Sequence, residues 1–147
     1  MSKAIFLTGT GTDIGKTFIA GLIVKKLAQA GKNPAYYKAA MSGNDRRSDE
    51  SLIPGDALFV RQMSGISQPL DEITMEGSGG ILCPLCFDEH KIQLEDVIRE
   101  FNLSSILIAD AGLGTINSVV LTFEYMKAHN LPLKGIKIGR ASCRERV

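Results

Sequence analysis

The chain has 147 residues, of which 44% are hydrophobic, and this is enough for one globular domain with a packed core. Its net charge of +1 gives no global electrostatic argument for nucleic acid or a membrane surface as a partner. The absence of a long apolar run and of a signal-peptide pattern, together with three cysteines interpreted as reduced thiols, predicts a cytoplasmic protein.

The first half of the chain alternates between predicted strands and helices. A short apolar run at residues 3–8 predicts a buried strand, and residues 9–16 form a loop. Apolar residues at helical spacing predict a helix over residues 17–30, which ends at Gly31. Residues 35–39 are interpreted as a second strand, residues 41–55 as a polar loop, and residues 56–63 as a helix that begins with an acidic residue.

The second half continues the alternation. The stretch "EITMEGSGG" predicts a strand end and a glycine turn, and residues 91–101 predict an amphipathic helix. Residues 104–110 are the clearest buried strand, followed by a turn, a helix over 116–129 and a last strand over 132–138. This order predicts an α/β fold with a mostly parallel sheet flanked by helices, whose ligands bind at the carboxyl ends of the strands.

The loop "TGTGTDIGKTFIAG" predicts a phosphate-binding site. A strand, a glycine-rich turn, Lys16-Thr17 and a helix follow one another, so backbone N–H groups and the helix N-terminus would face phosphate oxygens. Lys16 would reach the β- and γ-phosphates, and the Thr17 hydroxyl would bind Mg²⁺. The spacing departs from the common pattern, because Thr10 stands where a glycine is usual and Gly9 precedes it. The alternative is a helix-capping loop with incidental glycines.

Three further polar residues fall at predicted strand or helix ends. Glu76 is a candidate Mg²⁺ ligand before "GSGG", and its alternative is a surface acid. Asp56 is a second candidate ligand or a plain helix cap, and Lys38 is either a ligand-facing or a solvated strand-end lysine. The pair Cys83 and Cys86 forms a lone C-x-x-C, placed in a loop, which is weak evidence for zinc or redox chemistry.

Five segments in family order extend this interpretation: "TGTGTDIGKT", "YYKAAMSG", "GDAL", "MEGSGGILCPL" and "ADAGLGTINSVVLT". With them, the chain resembles the dethiobiotin synthases, whose fold is P-loop NTPase-like. The resemblance implies a ligase of biotin biosynthesis that uses ATP and Mg²⁺ to close 7,8-diaminopelargonate and CO₂ into dethiobiotin, and that acts as a cytoplasmic homodimer. Another related P-loop ATPase, or a truncated nucleotide-binding module without turnover, is the alternative.

The resemblance also assigns roles by position. Lys16 and Lys38 would be catalytic, and Thr17, Asp56 and Glu76 would hold Mg²⁺. The residues that would bind ATP are Asp13, Ile14, Gly15, Lys16, Thr17, Phe18, Asp56, Glu76, Gly77, Ser78 and Gly79. The substrate would contact Ser42, Gly114, Thr115, Ile116 and Asn117, the last four across a dimer interface.

Two features depart from the family. The stretch "LDEITME" is too polar for a buried central strand and too short for a crossover, which predicts an internal deletion near Ile73. Residues 138–147, "IGRASCRERV", can be encoded by DNA that matches a common sequencing-library adapter. We therefore expect a single, truncated P-loop domain over residues 1–137 and an adapter-derived tail over residues 138–147.

Overall fold

A computed structural model describes residues 4–38, 45–46, 52–69, 79–88 and 90–139. In chain order its elements are β1 (Ile5–Gly9), α1 (Lys16–Gln29), β2 (Asp45–Arg46), β3 (Leu52–Ile53), α2 (Gly55–Ser64), β4 (Pro84–Cys86), β5 (Ile92–Gln93), α3 (Leu94–Glu100), β6 (Ser104–Asp110), α4 (Thr115–Ala128) and β7 (Leu133–Gly139). The chain divides into two compact units, residues 1–16 with 79–147, and residues 17–78. None of the helices in these ranges is long and apolar enough to cross a membrane.

A parallel three-stranded sheet forms the centre of the first unit. Its order is β1-β6-β7, with Leu7 opposite Ile106 and Ile108 opposite Lys137. The helix α4 connects β6 to β7, as parallel neighbours require. This arrangement confirms the predicted α/β class with helices beside a parallel sheet. Among the described residues, β1 pairs with β6 alone.

The core of the first unit lies between the sheet and its helices. One cluster contains Ile98 of α3 and Met126 of α4, both fully buried, with Phe6 of β1 packed against it. A second cluster joins Leu107 of β6 to Val119 of α4. Truncating a side chain in such a site removes buried apolar area and leaves a cavity, at a cost of about 2–5 kcal/mol. Burial along 104–110 agrees with the apolar run that predicted this strand.

The second unit packs α1 against α2 at close range. Gly21 is buried in α1, and a Cβ atom placed there would lie 2.6 Å from Sδ of Met63 in α2. Val24 of α1 and Val60 of α2 are also buried. A larger residue at position 21 would require the Met63 side chain to move, so the glycine leaves room for this methionine between the two helices.

Three sequence predictions were wrong in detail. Residues 35–38 are not in a strand; instead the backbone of Tyr36 pairs with the side-chain amide of Gln68. The C-x-x-C is only partly in a loop: Cys83 precedes β4, whereas residues 84–86 form that strand, which pairs with β5. The helix expected over 91–101 begins only at residue 94, since Gln93 caps it and exchanges hydrogen bonds with Asp96 in a capping box. Residues 39–44, 47–51 and 70–78 lie outside the described residues, so the predictions made for them are not tested.

Tyr36 makes the stability of the second unit sensitive to alkaline pH. Its side chain is buried, and burial raises its pKa from 10.0 to about 12, because the phenolate is poorly solvated there. The folded state thus favours the neutral phenol. The stabilisation that comes from this group is fully present below pH 10 and is lost as the pH rises from 10 to about 12. We expect the free energy of unfolding to drop by about 2 kcal/mol near pH 11.5 through this group.

Urea unfolding at pH 9 and pH 11.5 measures this loss. Tyr36→Phe should lack the loss, whereas Tyr37→Phe, at a position that is 64% exposed, should retain it. Equal alkaline losses in the Tyr36→Phe variant and the unsubstituted chain would contradict the assignment.

Candidate phosphate-binding site

The loop between β1 and α1 starts at Gly9, which two side chains of the same loop approach closely. Thr10 N–H donates to the carbonyl of Ile108 at 3.1 Å, which ties the loop to the neighbouring strand β6. A Cβ atom on Gly9 would collide with the Ile14 side chain and lie 3.0 Å from Cδ of Lys16. A side chain at position 9 would therefore require Ile14 and Lys16 to move, and glycine leaves both in place.

Two residues of this loop adopt left-handed backbone conformations. Gly15 has φ 88° and Asp13 has φ 53°. The first is disfavoured for any residue with a Cβ atom, while aspartate tolerates the second. Turns of this kind direct successive backbone N–H groups into a concavity that suits an anion, and α1 begins directly afterwards at Lys16.

Lys16 folds back over its own loop. Its Nζ donates to the carbonyl oxygen of Gly11, and the side chain is half-buried. Burial lowers the pKa of Lys16, and interactions with Asp13 and Cys83 oppose that shift only in part. An arriving phosphate would favour the charged form of this amine.

The second glycine turn lies beside the first. A Cβ atom on Gly80 would lie 3.4 Å from the carbonyl oxygen of Gly9. Gly79 has φ 98°, and Cys83 N–H closes the turn by donating to the Gly80 carbonyl at 3.0 Å. Of the residues predicted here, Gly79 is thus next to the phosphate loop, while Glu76, Gly77 and Ser78 lie outside the described residues.

The third turn joins β6 to α4 at the same edge of the sheet. The Thr115 hydroxyl donates to the Asp110 carbonyl at 2.7 Å, and Gly114 caps α4 with φ 86°. Ile116 is 83% exposed and Asn117 is exposed, so the predicted substrate segment presents the N-terminus of α4 outward. An exposed helix N-terminus is electrostatically suited to a carboxylate.

The second unit contains the other predicted site residues. Lys38 Nζ donates to Oδ2 of Asp56, in the first turn of α2; the side chains are 11% and 40% exposed, respectively. Thr17 is half-buried in the first turn of α1, followed by the more exposed Phe18. Ser42 lies outside the described residues. The structure thus joins two residues, Lys38 and Asp56, that the sequence pattern treated separately.

Two neighbours of these residues were missed from the sequence. Cys83 lies close enough to Lys16 to influence its pKa, and Gln68 holds the backbone two residues before Lys38. Cys83 follows "GSGG" by three residues, which is the only signal that could have placed it here. Cys83 and Cys86 are free thiols, and the described part of the chain has no cluster of three His, Cys, Asp or Glu side chains that could hold a metal.

Comparison with known proteins agrees with this geometry. A family model described as an AAA domain matches residues 55–145. The chain is 40% identical over 177 residues to the ATP-dependent dethiobiotin synthetase BioD of Clostridium botulinum (strain Loch Maree), covering 92% of this chain and 78% of that protein. It is 40% identical over 182 residues to the protein of that name from Brachyspira hyodysenteriae, covering 95% and 80%. It is 39% identical over 181 residues to the protein of that name from Clostridium perfringens, covering 95% of this chain and 79% of that protein.

These alignments are longer than the chain itself. They extend over 177 to 182 residues, against 147 in the chain, so the relatives carry residues inside the matched region that have no counterpart here. A gap near Ile73 stays a prediction, since residues 70–78 lie outside the described residues. At 39–40% identity, and with more than three quarters of each relative covered, this chain belongs to the ATP-dependent dethiobiotin synthetase family.

Proposed function

We propose that the chain is a ligase that closes 7,8-diaminopelargonate and CO₂ into dethiobiotin, with conversion of ATP to ADP and phosphate. The observation that carries the proposal is the half-buried Lys16, whose Nζ donates to the Gly11 carbonyl within a loop that contains the left-handed Gly15, in a chain of this family. A half-buried cation at the start of a helix that follows a glycine loop is suited to a polyphosphate.

The proposed reaction has three balanced steps. One substrate amine attacks CO₂ to give a carbamate and releases a proton. A carbamate oxygen attacks the γ-phosphorus of ATP, which forms an O–P bond and breaks the bond to ADP. The second amine then attacks the carbamate carbon, closes the ureido ring and expels phosphate. Each step builds or moves negative charge on oxygen, which positioned cations stabilise.

The two lysines divide this work in the proposal. Lys16 would neutralise the β- and γ-phosphate oxygens from the loop, and its present bond to the Gly11 carbonyl would be exchanged for a phosphate. Lys38 would stabilise charge on the carbamate and on the transferred phosphate. Its contact with Asp56 keeps the ammonium group in one place before the substrates bind.

The donor set fits Mg²⁺ as the metal. Thr17, Asp56 and Glu76 offer a hydroxyl and two carboxylates, and hard oxygen donors of this type are what Mg²⁺ prefers. The Asp56 side chain is 40% exposed and so remains accessible in spite of its contact with Lys38. When bound, Mg²⁺ would neutralise charge on the β- and γ-phosphates.

A homodimer is part of the proposal, with the substrate carboxylate held at the N-terminus of α4. The support is a set of exposed apolar side chains on this helix and in the turn before it, called here the α4 surface: Leu113, Ile116, Val120 and Leu121 are 109%, 83%, 52% and 63% exposed. Several large exposed apolar side chains close together in the chain are typical of protein–protein contacts.

Replacing Leu121 by aspartate should convert the dimer to a monomer, because an unpaired carboxylate would be buried in the contact. We expect the Kd of dimerisation to rise at least about 100-fold, measured by sedimentation equilibrium. Phe101→Asp, at a position 69% exposed on the end of α3, is the matched control and should leave dimerisation unchanged. A monomeric unsubstituted chain, or a dimeric Leu121→Asp variant, would contradict the proposed interface.

The proposed reaction is tested by measuring phosphate release in assays from which one substrate at a time is left out. Release should require both 7,8-diaminopelargonate and bicarbonate, because ATP is cleaved only by attack of the carbamate. Equal release without 7,8-diaminopelargonate would indicate a different P-loop ATPase. Binding of ATP without any release would indicate a nucleotide-binding module, and either outcome overturns the proposal.

A further inference from the structure

Gln68 holds an extended segment of backbone that has no strand partner among the described residues. Tyr36 N–H donates to Gln68 Oε1 at 2.9 Å, and Gln68 Nε2 donates to the Tyr36 carbonyl at 3.1 Å. One amide side chain thus satisfies both backbone groups of Tyr36, as the opposite residue of a neighbouring strand would. Both hydrogen bonds are within the normal distance range, so the backbone of Tyr36 is held at two points.

This amide clamp lies two residues before Lys38. Tyr36 is buried and the Lys38 side chain is 11% exposed, while Tyr37 between them is 64% exposed. This alternation is that of an extended backbone, in which residues two apart are on one side and about 7 Å apart. Fixing the backbone of Tyr36 therefore restricts where the Cα atom of Lys38 can lie.

The same helix region supplies the contact with the Lys38 ammonium group. Asp56 lies in the first turn of α2, and its Oδ2 accepts from Lys38 Nζ. At the other end of α2, Gly65 adopts a left-handed conformation with φ 72°, and its N–H donates to the Arg61 carbonyl at 2.9 Å. The helix ends there, three residues before Gln68. Lys38 is thus restrained from both ends of α2. Asp56, at the start of the helix, binds its ammonium group, and Gln68, just after the end of the helix, holds the backbone two residues before it.

We propose that Gln68 is a positioning residue for Lys38: its amide clamp on Tyr36 sets where the Lys38 ammonium group stands in the reaction. This inference rests on the proposed function, which gives Lys38 its role. A displacement of a reacting group by about 1 Å can lower a rate about 100-fold, so loss of the clamp should act on kcat. We expect the KM for ATP to change little, because the clamp is made between Tyr36 and Gln68 and includes no residue of the phosphate loop.

The test uses the full chain with Gln68→Met, which keeps the length of the side chain but neither hydrogen bond. We expect kcat to fall about 10- to 100-fold, with the KM for ATP within about twofold of the unsubstituted value. Gln62→Met, at an exposed position of α2, is the matched control and should leave both constants unchanged. Unchanged kcat in Gln68→Met would overturn the proposal.

A second variant gives a readout that a purely structural role would not move. In Gln68→Glu the carboxylate can accept from Tyr36 N–H, but only its protonated form can also donate to the Tyr36 carbonyl. Its kcat relative to the unsubstituted chain should therefore rise as the pH falls. A ratio that does not change with pH would count against the clamp.

Labelling of Lys38 separates this inference from the proposed function. With a limiting amine-reactive reagent and mass spectrometry of the peptides, Gln68→Met should change the labelling rate of Lys38 at least about threefold relative to Lys32, which is exposed in the same segment. If the unsubstituted chain forms no dethiobiotin, the proposed function fails, and the labelling alone decides whether Gln68 positions Lys38. Equal Lys38 labelling in both proteins would overturn the inference.

Discussion

Replacing Lys16 by alanine is expected to lower kcat/KM for ATP about 100- to 1,000-fold, as removal of one preorganised charged donor does in other active sites. The physical reason is the state of the ammonium group in the ligand-free loop. Burial lowers the pKa of Lys16, and its Nζ donates to the Gly11 carbonyl inside the loop, so a bound phosphate would favour the charged form of an amine that is already in place. Isothermal titration with ATP and steady-state kinetics measure the loss.

The folded state should tolerate this substitution. Because burial disfavours the charged amine, removing it costs little stability, and the melting temperature should remain close to that of the unsubstituted chain. Lys26→Ala, in the last turn of α1 and exposed, is the matched control. Ring closure at the unsubstituted rate in Lys16→Ala would show that the loop does not bind the reacting phosphates.

Replacing Lys38 by methionine should lower kcat at least about 100-fold while leaving the affinity for ATP within a few-fold. Methionine retains most of the aliphatic length, so the packing of the 11%-exposed side chain is largely kept. What is lost is a cation held on Asp56, and with it the charge proposed to stabilise the carbamate and the transferred phosphate. Pre-steady-state phosphate release measures the chemical step directly.

Removal of this lysine leaves Asp56 without that contact, but the carboxylate is 40% exposed and can be hydrated, so unfolding is not expected. Lys32→Met, at an exposed position in the same segment, removes one positive charge outside the site and should be neutral. An unchanged kcat in Lys38→Met would remove this residue from the mechanism.

The sequence was most informative where one local pattern determines one element. Strand β6 was predicted with its observed ends, because seven residues in an apolar run bounded by a turn leave few alternatives. Helix α1 was predicted within one residue of its ends, since helical spacing and a terminal glycine agree. The glycine loop between β1 and α1 was predicted for the same reason.

Contacts between distant residues were not predictable from the sequence. The amide clamp joins Tyr36 to Gln68, residues 32 apart in the chain, and no periodicity marks a side chain that replaces a strand. The position of Cys83 near Lys16 depends on how the turn at Gly80 packs against Gly9. The sequence named Lys38 and Asp56 as separate candidates, and only the three-dimensional structure shows that they contact each other.

Two sequence predictions remain to be tested at the level of the gene. The longer alignments agree with residues missing from this chain, but the place of the gap near Ile73 is still a prediction. The adapter origin of residues 138–147 is also a prediction: β7 extends to Gly139, and the AAA-domain match extends to residue 145. A long DNA read across both regions would decide each point.

The most direct test of the proposed reaction supplies the purified chain with ATP, Mg²⁺, 7,8-diaminopelargonate and ¹³C-labelled bicarbonate. Mass spectrometry then follows the product, and phosphate is measured in the same samples. The account predicts dethiobiotin whose ureido carbon carries the label, formed together with an equal amount of phosphate and only when ATP is present. Phosphate without labelled product, or bound ATP with neither, would contradict it.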